Sequence, residues 1–113
     1  MISSQYEHIE YVVRSIERRI RERPDFGVLD SQTVLALDVV MHALQYTHAK
    51  DGLLLWREAL WRRTLSPQAR SAIVEMMEYL MTAAANGEIS AVTGICNCLQ
   101  AVVDPHVFGT ADA

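Results

Sequence analysis

The sequence has few of the residues that interrupt helices or form covalent cross-links. Its three prolines, at positions 24, 67 and 105, each stand where a helix can begin or end. The two cysteines, Cys96 and Cys98, are one residue apart. In a helix their side chains point about 200° apart, so a disulfide between them is geometrically poor. We therefore expect a reduced, cytoplasmic protein.

Long hydrophobic runs are also missing. The longest stretch without a charge is residues 89–103, and it includes serine, threonine, asparagine and glutamine. This is shorter than the ~20 predominantly apolar residues that a membrane-spanning helix needs. The first residues lack the basic start and the apolar stretch of a secretory signal. We expect no membrane partner.

Length and composition predict one folded domain. The chain has 113 residues, half of them apolar, with 10 basic and 14 acidic side chains and a net charge of −4. Such a composition excludes a disordered tail or a fibrous repeat. The negative charge argues against general nucleic-acid binding, which depends on neutralising phosphates. We expect a single domain over residues 1–113, with a flexible tail from about residue 105.

The spacing of apolar residues predicts an all-α fold. Apolar residues three and four apart indicate about five helices, over residues 4–22, 31–49, 53–63, 67–85 and 88–103. The predicted architecture is an antiparallel bundle without β-sheet, in which a long first helix is followed by two helical hairpins. The second helix is apolar around most of its circumference, which predicts a central position in the bundle.

Two glycine-containing dipeptides predict matched turns within the two hairpins. Asn86-Gly87 separates the fourth and fifth helices, and Asp51-Gly52 separates the second and third. Gly52 could instead lie inside a bent continuation of the second helix. Ser66-Pro67 is a strong helix start, with serine as the N-cap and proline as the first helical residue.

Asp38 and His42 lie one turn apart on the second helix and are candidates for metal binding or acid–base chemistry. Such a site needs at least one more ligand, and the remaining histidines have no matched spacing. We therefore favour the alternative that the pair belongs to an ordinary polar face. We expect no metal and no cofactor.

No sequence motif indicates catalysis. The chain contains no Gly-x-Ser-x-Gly motif, no phosphate-binding loop and no dinucleotide fingerprint. Cys96 shares a face with apolar residues and is expected in the core, whereas Cys98 lies nearer the opposite side. Neither cysteine has a cationic neighbour in residues 89–103 that would lower the pKa of its thiol. We predict no catalytic residue and no enzymatic activity.

A row of arginines on the first helix is a candidate contact for an anionic partner. Arg14, Arg18 and Arg21 follow one another at i, i+4 and i+7. The row could bind nucleic acid or an acidic protein surface. The alternative is a solvated face whose arginines pair with glutamates of the same helix, and we favour it.

Two further faces predict self-association. A solvent-facing helix normally carries Lys, Glu and Arg, but one face of the fifth helix carries small uncharged residues that let another backbone approach closely: Ser90, Gly94, Asn97 and Ala101. The first helix has an apolar stripe at the 3.5-residue average spacing of paired helices: Tyr6, Ile9, Val13, Ile16 and Ile20. We predict a homodimer with the first or the fifth helix at its interface.

These observations favour a small non-enzymatic protein-interaction module: a regulator, adaptor or inhibitor that binds a protein partner whose identity the sequence does not reveal. One alternative is a nucleic-acid-binding transcriptional regulator that uses the N-terminal arginines. The other is a metal-binding or catalytic helical bundle centred on Asp38 and His42.

Overall fold

The computed structural model describes residues 4–22 and 30–103. It contains five helices: α1 (Ser4–Glu22), α2 (Ser31–Leu44), α3 (Lys50–Arg62), α4 (Pro67–Ala85) and α5 (Ile89–Val103). No strand occurs in the described ranges, so the predicted all-α bundle is confirmed. None of these helices combines the length and the apolar character that crossing a bilayer requires. The predicted tail from about residue 105 lies outside the described residues.

The helices pack in a closed ring. α2 packs on α5, α5 on α1, α1 on α4, α4 on α3, and α3 returns to α2. α4 and α5 also contact each other across the ring, so each of them packs on three other helices. Their fully buried side chains, such as Ile73, Leu80 and Leu99, form the centre of the core together with Trp56 of α3.

α2 lies at the edge of the bundle, and the prediction that it is central is wrong. It contacts only α5 and α3 among the helices described. One stripe of α2 is buried: Thr33, Leu37, Val40 and Leu44. On the opposite side, the side chains of Leu35 and Val39 are 65% and 58% exposed. Apolar sequence around a helix indicates that several of its faces can be buried, but it does not require this chain to bury all of them.

Local hydrogen bonds define both ends of α4 as the sequence predicts. The Ser66 hydroxyl accepts a hydrogen bond from the backbone N–H of Ala69, which satisfies one of the free donors of the first turn. At the other end Gly87 has a φ of 101°, a left-handed conformation that side chains disfavour. The backbone N–H of Glu88 then donates to the carbonyl of Ala83. The turn predicted at Asn86-Gly87 is confirmed.

Gly52 is not a turn residue, because α2 already ends at Leu44 and α3 begins at Lys50. Gly52 instead lies in the first turn of α3 and faces α4. A Cβ atom there would overlap the carbonyl oxygen of Ala72 and lie 3.1 Å from the Cβ of Met76. Glycine therefore lets the backbones of α3 and α4 come into direct contact.

Gly52→Ala should destabilise the protein, since the added methyl group forces α3 away from α4. We expect the free energy of unfolding to fall by about 1–2 kcal/mol, after allowing for the better helix propensity of alanine. The matched control is Gly94→Ala, because a Cβ at Gly94 meets nothing within 4 Å. This control should be neutral or stabilise by up to ~1 kcal/mol. Urea unfolding at low protein concentration, followed by circular dichroism, measures the free energy of unfolding of both variants. Equal effects of the two substitutions would contradict the close contact at Gly52.

Candidate protein-interaction surface

Most of the exposed large apolar side chains in the described residues lie on or next to α2 and α3. They are Leu35 and Val39 on α2, Tyr46 just after it, and Leu54 and Trp61 on α3. Single exposed apolar residues are common on soluble proteins, but contiguous groups of them often mark binding sites. We call Leu35 and Val39, which lie one turn apart on the outer side of α2, the α2 ridge.

A groove of about 460 Å³ runs between α2 and α5, with Leu80 and other residues of α4 also lining it. Its α2 side is formed by Val39 and Ala43, and its α5 side includes Ala91 and Gly94. Apart from Glu88, the exposed side chains along the groove are short. Of the described residues that line it, Glu88 alone carries a charge. We call this feature the α2–α5 groove; Val39 belongs both to it and to the ridge.

The structure places part of the small-residue face of α5 in this groove. Ser90, Gly94 and Asn97 are exposed, and Ala101 is half-buried. Ser90 and Gly94 line the groove, whereas Asn97 and Ala101 do not. No other atom lies within 4 Å of a Cβ built at Gly94, so no other helix of the described chain packs against that glycine. The face therefore remains a candidate interface, and Ser90 and Gly94 are the part of it that borders the open groove.

The structure contradicts the interface prediction for the apolar stripe of α1. The side chains of Ile9, Val13, Ile16 and Ile20 are at most 1% exposed, because α1 packs on α4 and α5 of the same chain. Tyr6, at the start of the stripe, is half-buried and packs against the same core. A 3.5-residue spacing indicates a contact between helices, but it does not tell whether the second helix belongs to the same chain.

The arginine row is only partly available to an anionic partner. The Arg14 guanidinium lies 2.7 Å from Oε1 of Glu17 and also binds the carboxylate of Glu78 on α4. The hydrogen bonds to these two carboxylates raise the pKa of Arg14 above its ordinary value. Arg18 and Arg21 are exposed. Arg14 thus pairs with a glutamate of its own helix, as the favoured alternative expects, and its contact with an anionic partner stays an untested prediction.

Glu17 is buried, although its place among the arginines of α1 suggests an exposed side chain. Its residue is 3% exposed, and its Oε2 atom has no hydrogen-bond partner. Burying a carboxylate is costly unless a cation stays beside it, and Arg14 fulfils that role. The pairing of Arg14 with Glu17 agrees with the favoured alternative, in which arginines pair with glutamates of the same helix, but the sequence holds no signal for Glu78, which is 64 residues away from Arg14.

Asp38 pairs with an arginine and not with His42. Its carboxylate lies 3.8 Å from the guanidinium of Arg57 on α3, and both side chains are about half exposed. Such a pair contributes little to stability because solvent screens it. Throughout residues 4–22 and 30–103, no three His, Cys, Asp or Glu side chains are close enough to hold a metal ion together. The structure therefore does not bring further ligands to the candidate pair.

Both thiols are less acidic than an ordinary cysteine. Burial raises the pKa of Cys96 to about 12, and partial burial also raises the pKa of Cys98. A nucleophilic cysteine needs the opposite shift, because the thiolate is the reactive form. Cys98, which is half-buried, borders the α2–α5 groove.

Acid should weaken the contact between α1 and α4. The hydrogen bond from Arg14 lowers the pKa of Glu78 below its ordinary value. A carboxyl group whose pKa is lower in the folded state stabilises above its unfolded pKa, and this contribution is lost as the pH falls through the folded pKa. We expect the urea midpoint to fall as the pH is lowered from about 5 to about 3. Glu78→Gln should reduce this pH dependence.

The control for this measurement is Glu75→Gln, at an exposed position one turn earlier on α4. It should leave most of the pH dependence in place. An acid response that is unchanged in Glu78→Gln, or reduced as strongly in Glu75→Gln, would contradict the assignment to the Arg14–Glu78 pair.

The chain matches no protein-family model, no curated protein and no solved structure. A fold by itself does not identify an activity, so the evidence for the function of this chain lies in the chemistry of its surface.

Proposed function

We propose that this chain is a small non-enzymatic protein-interaction module. It acts by presenting the α2 ridge and the α2–α5 groove to another protein surface, as a regulator, adaptor or inhibitor does. The observation that carries the proposal is the exposure of Leu35 and Val39 at 65% and 58% beside an open, mostly uncharged groove. Covering such residues releases water from apolar surface and so favours association.

The shape of the surface supports a helical or extended partner segment. A groove between two helices accepts side chains that project from one face of an amphipathic helix, at spacings of three or four residues. Short side chains at Ala43, Ala91 and Gly94 leave room for those anchors. The α2 ridge then gives the partner a second apolar strip to cover.

The remaining features of the chain fit this proposal better than the alternatives. Nucleic-acid binding by the arginine row receives less support, because Glu17 and Glu78 neutralise Arg14. A metal-binding or catalytic bundle receives less support, because Asp38 is paired with Arg57. Two free cysteines fit a reducing compartment, and we propose a cytoplasmic location.

Val39→Glu should abolish binding to protein partners, because it places a charge where the ridge meets the groove. Tagged wild-type protein is used to capture proteins from an extract of the source organism, and the captured set is compared by mass spectrometry with the sets from the variants. The matched control is Tyr11→Glu, which replaces another large exposed apolar residue, on α1, a helix that packs on neither α2 nor α3. Proteins captured by the wild type and by Tyr11→Glu should be lost with Val39→Glu.

Two checks make this comparison decisive. Val39 and Tyr11 are both more than half exposed, so both variants should retain the helical signal and the cooperative unfolding of the wild type. Capture of the same proteins by all three chains, or of none above background, would contradict the proposed surface.

A further inference from the structure

We infer that the α2–α5 groove binds a short amphipathic helix of another protein, and that this helix carries a lysine or arginine at the end that faces Glu88. The inference rests on the proposed function, since it assigns a chemical class to the partner of the same surface. Three properties support it: the length of the groove, its apolar lining and the charge at one of its ends.

The groove has the length of a short helical segment. It follows α5 from Glu88, just before the helix begins, to Cys98. About ten residues at 1.5 Å each make this stretch about 15 Å long, or nearly three helical turns. The volume of about 460 Å³ is that of a pocket for a few inserted groups and not of a broad protein interface. A helix that inserts side chains at i, i+4 and i+7 matches this length.

The lining of the groove is suited to apolar anchors. The open space at Gly94 lets the backbone of a partner helix come close. Apolar side chains at the centre of the contact favour binding, because covering them releases water. Nearly fully buried side chains from all three surrounding helices line the groove: Leu44 on α2, Leu80 on α4 and Val92 on α5.

Glu88 gives one end of the groove a negative charge. Its side chain is exposed, and no Lys, Arg or His within residues 4–22 and 30–103 forms an ion pair with it. The C-terminal end of α2 and the N-terminal end of α5 both border this end, and their opposite partial charges offset one another. The carboxylate of Glu88 therefore determines the sign of the potential there.

A complementary charge has to come from the partner. The described residues that line the groove include no cation, so a second copy of the groove would bring one more carboxylate and no base. A lysine or arginine at one end of the partner helix pairs with Glu88 and also determines the direction in which the helix lies. Apolar anchors thus supply affinity, and the basic residue supplies specificity.

Selection from a peptide library tests the charge of the partner directly. The library displays peptides of about 18 residues, long enough for an isolated helix, with leucine fixed at i, i+4 and i+7 and alanine, glutamine, lysine or glutamate elsewhere. Wild-type protein should enrich peptides with lysine at one end of the leucine row over peptides with glutamate there. Glu88→Gln should reduce this preference, and Glu88→Lys should reverse it.

Two control variants locate the effect in the groove. Glu75 is also an exposed glutamate, but it lies on α4 and does not line the groove. Glu75→Lys changes the net charge as much as Glu88→Lys does and should still select the peptides that the wild type selects. Val39→Glu should lose those peptides, because Val39 lines the groove.

The affinity of one selected lysine peptide gives the size of the effect. Because an exposed ion pair contributes modestly, we expect Kd to rise about 2- to 5-fold in Glu88→Gln and further in Glu88→Lys. The same peptide with glutamate in place of that lysine should show the opposite order. Circular dichroism checks the fold of each variant. If Glu88→Lys is destabilised at the N-terminus of α5, Glu88→Gln decides the outcome, since it adds no positive charge there.

Equal enrichment of lysine and glutamate peptides by the wild type overturns the inference. So does a preference that persists in Glu88→Gln and Glu88→Lys, or a library from which the wild type enriches no peptide. The proposed function is judged separately, by the capture of proteins with Val39→Glu and Tyr11→Glu. If Val39→Glu loses captured proteins, any of these library results contradicts the partner class alone; if it loses none, both proposals are contradicted.

Discussion

The central position of α4 and α5, each of which packs on three other helices, is the constraint on which the rest of the arrangement depends. Because these two helices also pack on their neighbours in the ring, each buries apolar residues on several faces. The outer helices then have only one side each to pack inward. For α1 this is sufficient, since its apolar stripe is fully buried at Ile9, Val13, Ile16 and Ile20. For α2 one inward side does not cover all of its apolar residues, and the uncovered ones, Leu35 and Val39, form the exposed α2 ridge.

Two glycines, Gly52 and Gly94, show how differently the same residue type acts in this bundle. At Gly52 the missing side chain is required, because the carbonyl of Ala72 occupies the space of a Cβ atom. At Gly94 the space is open to solvent. Gly52 thus lets two helices of one chain come into contact, whereas Gly94 leaves one side of the α2–α5 groove without a side chain. Whether a glycine packs against a neighbouring helix or lines an open groove therefore depends on how near another backbone lies, and not on the residue type.

Two groups of ion pairs connect neighbouring helices. Arg14 joins α1 to α4 through Glu17 and Glu78, and Asp38 pairs with Arg57 between α2 and α3. The first cluster includes a buried carboxylate and depends on its arginine, because an unpaired buried charge is strongly destabilising. The second is half exposed and contributes little energy. Both pair arginines with carboxylates of the same chain.

The sequence by itself determined the helical class, the five helices of the described residues and both ends of α4, because periodicity and capping are local properties. It also singled out Gly94 and its small neighbours as unusual on a helix surface. Only the tertiary structure decided which faces are covered. The stripe of α1 is buried in its own chain and the ridge of α2 is not, although both consist of apolar residues at helical spacing. Gly52 follows Asp51 and Gly87 follows Asn86, so their local sequences are alike. Gly52 nevertheless lies in α3 and faces α4, whereas Gly87 lies in a turn. These outcomes depend on contacts between residues far apart in the chain, which local patterns do not encode.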